Sequence, residues 1–312
     1  MALKNDYLNR ARSNKNDEFY TQYCDIEEEV IKFKQYFKDK IVYCPCDNNT
    51  SEFRNYFINQ YHELGLKGFY SSAIDDNCIF YNGQEIIDLS INNIDITGEE
   101  YLTILQKSDI IVTNPPFSLF VKFLHTIVEN NKEFLIVGQQ NTITCKTVFE
   151  KIMSKQLHLD FGFKGIAGWF RFPSTYTDIA NSGDHKEGLI RVSGVIWYTS
   201  FDCETENEFI DLKCSYYNED GTPNRDKYPV YDNFRSISGL DEDCINISKV
   251  KDIPKDYYGY MGVPISFFGK YNPNQFELIQ LDHYGPLGNQ DNMINGKMVY
   301  RRIYIKLRKN NE

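Results

Sequence analysis

No stretch of this chain is apolar for long enough to cross a membrane. Residues 1–19 lack the apolar centre of a secretion signal, so a cytoplasmic protein is expected. Positive charge is in deficit: 34 Lys and Arg stand against 44 Asp and Glu, and a net of -10 argues against binding nucleic acid through charge alone. Metal-ligand spacing is missing too. The histidines at 62, 125, 158, 185 and 283 form no pattern, and Cys44-Pro-Cys46 has no second close pair to complete a zinc site. The remaining cysteines are scattered, which fits reduced thiols rather than a disulfide framework. Repeats and low-complexity tracts are absent. So is a glycine-rich loop: the polar segment Asp47-Asn-Asn-Thr-Ser51, behind the first expected strand, contains no glycine.

Aromatic residues are plentiful instead. With 23 Tyr and 22 Phe the chain has more rings than a core needs, so some should line clefts or stack on planar ligands. Its 312 residues suffice for one large domain with an appendage or for two unequal domains. The pattern predicts an amphipathic helix over Glu27–Lys38, a strand over Lys40–Cys44, a helix over Glu52–Leu64 and a strand over Gly68–Ile74. Asn82-Gly83 marks a hairpin turn. A strand over Ile91–Ile96, a helix over Glu99–Gln106 and a strand over Ser108–Thr113 follow. Ser118 then caps a helix with Leu119, Phe120, Phe123, Leu124 and Ile127 on one face, ahead of a strand over Glu133–Val137. This alternation describes an α/β fold with a doubly wound, mostly parallel sheet.

Beyond residue 158 the rhythm changes. His158–Phe163, Leu189–Ser200 and Met298–Ile305 read as strands within more irregular sequence. The expected organisation is a basic arm (1–16), a main domain (17–200) and a smaller region (201–312) that can return elements to the main sheet.

The most informative stretch is Asn114-Pro115-Pro116-Phe117, directly behind the apolar run ending at Thr113. Two successive prolines cannot continue a ladder, so the chain must leave the sheet there. That sets an amide, a fixed carbonyl and a ring beyond the carboxyl end of a strand, where open α/β sheets bind ligands. Taken alone, the same residues also suit a tight strand exit with a ring packed into the core. By composition Asp47 is a turn residue or helix cap, and Asp95 a cap or solvated acid.

Asn114–Phe117 resembles motif IV of the S-adenosylmethionine-dependent amino-methyltransferases. Lys15–Glu27 closely resembles the start of the EcoRI-type adenine methyltransferases. Trp169–Pro173, Lys227–Asn233, Met261–Ile265, Lys270–Pro273 and Asn295–Ile305 are similar to that family as well, so the resemblance covers nearly the full length. It implies a Rossmann-like class I methyltransferase fold and transfer from S-adenosylmethionine to N6 of a flipped adenine in double-stranded DNA. S-adenosylhomocysteine would be the product, with no metal involved.

In that frame Asn114 and the Pro115 carbonyl accept from the amine, Pro116 stiffens the loop and Phe117 stacks on the base. Phe19 and Thr21 close over the cofactor. Asp47 stands in the motif I slot, Asp95 corresponds to the acid that contacts the cofactor adenine, and Asp75 or Asp76 would hold the ribose. Trp169, Phe170, Arg171 and Tyr176 are candidates for holding the flipped base, and target recognition falls mainly after residue 200. The resemblance further implies a monomer that protects sites against a companion restriction endonuclease, or a solitary or phage-borne modifier. The alternatives are methylation of RNA or of protein glutamine, and a non-catalytic DNA-binding relative.

Lys4, Arg10, Arg12 and Lys15 in the arm face one acid before Asp17. If they touch phosphates, deleting residues 1–13 should weaken DNA affinity and lower the salt slope by about 0.9 per lost contact. Titrations across a salt series measure this, and an unchanged slope would make the arm a solvated tail.

Overall fold

The structure, a computed structural model, describes residues 19–92, 94–96, 98–163, 167–171, 185–186, 188–203, 208–282 and 292–309. The arm (1–16) and Tyr176 lie outside them. The chain divides into two compact units, one drawn from residues 1–140 and 157–202, the other from 141–156 and 203–312.

The first unit is built on β1 (Ile41–Cys44), β2 (Gly68–Ala73), β3 (Asp76–Tyr81), β4 (Ile86–Asp88), β5 (Ile110–Thr113), β6 (Glu133–Gln139) and β7 (His158–Asp160). It continues with β8 (Ala167–Arg171), β9 (His185–Lys186), β10 (Leu189–Ser193) and β11 (Val195–Thr199). The main sheet has the order β4-β3-β2-β1-β5-β6-β11-β7. β2, β1, β5 and β6 are mutually parallel, and within the whole sheet β3 and β11 run against the rest. β5 is buried at every position, as a parallel strand covered on both faces must be.

Helices α1 (Tyr23–Lys32), α2 (Glu52–Asn59), α3 (Tyr61–Leu64), α4 (Glu99–Lys107) and α5 (Phe120–Glu129) cover both faces. Phe57 of α2 stacks on Phe69 at 5.6 Å, and Phe53 meets Trp197 edge-on at 6.2 Å. On the opposite face Tyr101 of α4 meets Tyr43 at 6.0 Å and Phe120 of α5 meets Tyr198 at 4.8 Å. Strand alternation explains the division, because Tyr198 is one residue on from Trp197 and Tyr43 is level with the neighbour of Phe69. The sheet is therefore doubly wound and mostly parallel.

Several elements differ from the sequence expectation. α1 starts at Tyr23 and ends at Lys32; a tight turn then gathers Phe33, Tyr36 and Phe37 around Phe201, with Tyr36 stacked on it at 4.3 Å. The helix expected over 52–64 divides at Gln60, and its second part ends on Gly65 at φ 65°. No described residue of 91–96 is in a strand. Backbone pairing with β3 stops at Ile91, whose carbonyl accepts from Cys78 N at 2.7 Å, and the chain then buries Ile94 and Ile96 from a loop. α5 opens after Leu119, not Ser118, following a turn in which Leu119 N donates to the Pro116 carbonyl at 2.9 Å. The run 189–200 breaks at Gly194, whose φ of +70° sends β10 into a separate sheet, β8-β10-β9, while β11 stays in the main one.

The second unit holds α6 (Lys146–Met153) and α7 (Phe234–Ser238) with β12 (Cys244–Asn246), β13 (Tyr260–Val263), β14 (Phe276–Leu281), β15 (Met293–Ile294), β16 (Lys297–Met298) and β17 (Ile303–Leu307). Its sheet runs β12-β13-β17-β14, with Tyr231, Phe234, Cys244 and Tyr304 at the core. The strand expected over 298–305 is split: Met298 belongs to a hairpin turning on Asn295-Gly296, whereas β17 starts at Ile303. The intervening backbone bonds elsewhere, with Val299 N donating to the Asn292 carbonyl and Arg302 N to Asp282 Oδ2.

Gly138 in β6 lies against α5, and a Cβ there would stand 2.3 Å from the Phe120 ring. Gly138→Ala should therefore cost about 1–3 kcal/mol by overpacking. Chemical denaturation measures the loss; an unchanged midpoint would mean that the ring moves aside freely.

Candidate functional site

At the carboxyl ends of the parallel strands the chain is tied together by one acid. Asp47, three residues beyond β1, is 5% exposed. Its amide donates to the Ser72 carbonyl at 2.8 Å and its own carbonyl accepts from Ser71 Oγ, which fixes it to the end of β2. Ser51 Oγ donates to Asp47 Oδ1, and Thr113 Oγ1 donates to Oδ2 at 2.7 Å. Ser51 also caps α2 by accepting from Phe53 N at 3.1 Å. Burial pushes the Asp47 carboxyl from its ordinary 3.8 up to about 6, against the lowering effect of the Ser51 and Thr113 hydrogen bonds.

The loop from Asp47 to Ser51 needs no glycine because none of its residues adopts a positive φ. Side chains hold it instead. Asn48 Oδ1 accepts from Thr50 N and Oγ1, Asn49 N donates to Asp76 Oδ2 at 2.9 Å, and Asp76 pairs with Arg54 at 2.8 Å. Asp75 is exposed and takes a 3.5 Å contact from Asn48 Nδ2. Asp95 is half-buried in the loop ahead of α4 rather than at a strand end, its carbonyl accepting from Gly98 N at 2.8 Å.

Asn114 follows Thr113 immediately, so the Asp47–Thr113 bond also fixes where the Asn-Pro-Pro-Phe turn begins. Its Nδ2 donates to the Phe19 carbonyl at 2.5 Å and to Thr21 Oγ1 at 3.2 Å. A backbone carbonyl can only accept, so the nitrogen of the amide must lie on that side and Oδ1 on the other. Pro115 is buried, and Phe117 is half-buried with its ring 5.8 Å from Phe19. Residues 19–22 are in turn paired to β8: Tyr20 and Arg171 exchange both backbone hydrogen bonds, at 2.8 and 3.0 Å, and Gln22 Nε2 donates to the Trp169 carbonyl at 2.7 Å.

Strand alternation sorts the candidates on β8. Phe170 points inward, fully buried, 6.4 Å from Phe19 and 5.4 Å from Phe163. Its ring thus backs Phe19 and is not open to a ligand, a correction forced by the period of two. Trp169 and Arg171 are on the outer face, where Trp169 lies opposite the exposed Arg191. The Arg171 side chain is 64% exposed and reaches Glu52 at 3.5 Å. Sequence reasoning missed Ser51, Thr113 and Gln22. A hydroxyl at the last buried position of β5 was the available signal for Thr113; nothing local marks Gln22. Among the described residues no group of His, Cys, Asp and Glu could hold a metal ion, and no helix is long and apolar enough to cross a membrane.

The family model described as adenine-specific methyltransferase EcoRI matches residues 7–92 and 74–309. The chain is 37% identical to the type II methyltransferase M.EcoRI of Escherichia coli, over 97% of its own length and 96% of that protein. It is 33% identical to the type II methyltransferase M.MpnI of Mycoplasma pneumoniae, covering 97% and 99%. It is also 30% identical to M.MgeORF184P of Mycoplasma genitalium, covering 96% and 98%. No solved structure matches the chain.

Asp47 carries a stability signature. Its folded pKa of about 6 is above the ordinary 3.8, so the folded state holds the proton longer and stability falls as pH rises through that window. Thr113→Val removes a donor to the carboxylate, which should extend the fall beyond pH 6 and cost about 1–3 kcal/mol once Asp47 is ionised. Denaturation at pH 5 and pH 8 tests this; an equal loss at both would show that the bond does not act through the carboxylate charge.

Proposed function

This chain belongs to the EcoRI-type family of adenine-specific methyltransferases, and we infer that Asn114, Pro115, Pro116 and Phe117 receive its target base. The enzyme transfers a methyl group from S-adenosylmethionine to N6 of adenine at specific sites in double-stranded DNA. The observation that carries our assignment is the Asn114 amide, whose nitrogen is held by the Phe19 carbonyl so that its oxygen is left to accept.

The N6 lone pair is delocalised into the adenine ring and is a poor nucleophile. Asn114 Oδ1 and the Pro115 carbonyl accept from the two N–H groups and draw the nitrogen toward tetrahedral geometry. Pro116 stiffens the turn, so these acceptors are set before the base arrives. Phe117 stacks on the base, a contact worth about 1–3 kcal/mol. When bound, S-adenosylmethionine supplies a methyl group on a cationic sulfur and leaves as neutral S-adenosylhomocysteine. The surplus proton departs from N6 after transfer, so no strong base is required. Asp47 is not that base, because both of its oxygens accept from Ser51 and Thr113.

Asp75, exposed, and Asp95, half-buried, are acids that a cofactor can reach. Of the two, the exposed Asp75 would hold the ribose hydroxyls. Asp47 shapes the loop beside the methionine end, Asp95 meets the cofactor adenine, and Phe19 and Thr21 close the site. On the DNA side, Trp169 and Arg171 flank the extruded base, with Tyr176 a further candidate. Extrusion costs a few kcal/mol, which such contacts offset. In our reading the enzyme acts in the cytoplasm as a monomer. It shares its site with a companion endonuclease or works as a solitary or phage-borne modifier.

Asn114→Ala should lower transfer to duplex DNA by at least ~10²–10³-fold while calorimetry still detects S-adenosylmethionine binding. Labelled-methyl transfer measures the rate, and retained turnover would remove Asn114 from the chemistry. Base-resolution mapping after expression in an unmodified host reports the recognition sequence.

A further inference from the structure

We infer that Thr21 and the Phe19 carbonyl are positioning groups for Asn114, deciding which end of its amide meets the target amine. The inference rests on reading Asn114 as the amine acceptor. The two ends of an asparagine amide have nearly the same shape, so a half-turn of the side chain replaces an acceptor by a donor at almost no steric cost. With the nitrogen toward the base, donor would meet donor and N6 would gain nothing.

The partners of the Asn114 nitrogen are distant in sequence. The choice comes from 93 residues away in sequence, where Thr21 Oγ1 stands 3.2 Å from Nδ2, and from Phe19, whose carbonyl lies 2.5 Å from the same nitrogen. The carbonyl excludes the reversed amide, and the hydroxyl takes the second N–H. Thr21 is 3% exposed, so this acceptor is not one that bulk water replaces. The segment is itself immobilised on its other edge, through Tyr20 to the Arg171 backbone and through Gln22 to the Trp169 carbonyl. The selector is therefore anchored on the side away from Asn114. A segment whose family resemblance implies a cofactor contact acquires a second task, performed on the substrate side.

Thr21→Val keeps the branched shape and deletes the acceptor. At saturating S-adenosylmethionine it should lower kcat about tenfold, the value of one buried hydrogen bond, and leave the KM for DNA within about twofold. Thr21→Ser, which retains the hydroxyl, should recover kcat to within about threefold, and Thr21→Ala should behave as Thr21→Val does. In an Asn114→Ala background at saturating S-adenosylmethionine, Thr21→Val should bring no further tenfold loss. An unaltered kcat in Thr21→Val and Thr21→Ala at saturating S-adenosylmethionine would overturn the positioning role. If Asn114→Ala itself retains turnover, the acceptor reading fails first. If Asn114→Ala is inactive and both Thr21 variants turn over normally, only the positioning inference fails.

Discussion

The carboxylate of Asp47 is the joint on which the site depends. It accepts from Ser51, the cap of α2, and from Thr113, the last residue of β5, while its backbone is bonded to the end of β2. Three chain segments meet at one buried acid, held partly protonated near pH 6 by the cost of burying its charge. A glycine-rich loop achieves close approach by shedding side chains. Here the loop keeps its side chains and uses them as hydrogen-bonding struts, which is why ordinary φ angles suffice.

From that joint a series of rings leads into the core of the first unit. Phe117 lies 5.8 Å from Phe19, Phe19 6.4 Å from Phe170, Phe170 5.4 Å from Phe163, and Phe163 stacks on Trp197 at 5.4 Å. Phe53 of α2 meets Trp197 from the other side. In this series the rings pack on one another. A turn braced in this way keeps its acceptors in place without reorganising during the reaction.

Charge is deployed less simply than its distribution along the chain implies. The basic closing segment is largely occupied within the second unit: Arg301 donates to Thr144, Arg302 to Asn246, Lys306 to Glu242, and Arg308 to the Pro273 carbonyl. Lys306 also sits 3.8 Å over the Tyr260 ring. These cations secure an edge of the fold before they are offered to a partner. By contrast Arg171 and Arg191 stand on the outer face of the small sheet of the first unit, a placement that alternation and register produce and linear spacing conceals.

Much was determined locally. The proline pair had to end β5 and leave Asn114 just beyond it, the apolar rhythm had to build a doubly wound sheet, and Asn82-Gly83 had to turn a hairpin, because these outcomes depend on the backbone chemistry of neighbouring residues. The family, and with it the reaction, was legible in Asn114–Phe117 and Lys15–Glu27. What tertiary structure alone decided concerns partners far apart in the chain. That Thr113 answers Asp47, that Phe19 and Thr21 orient the Asn114 amide, and that Phe170 faces the core while Arg171 does not are matters of register and distance. Hydrogen bonds and ring contacts act over a few ångströms of space, and no local pattern encodes which distant residue the fold brings within that range.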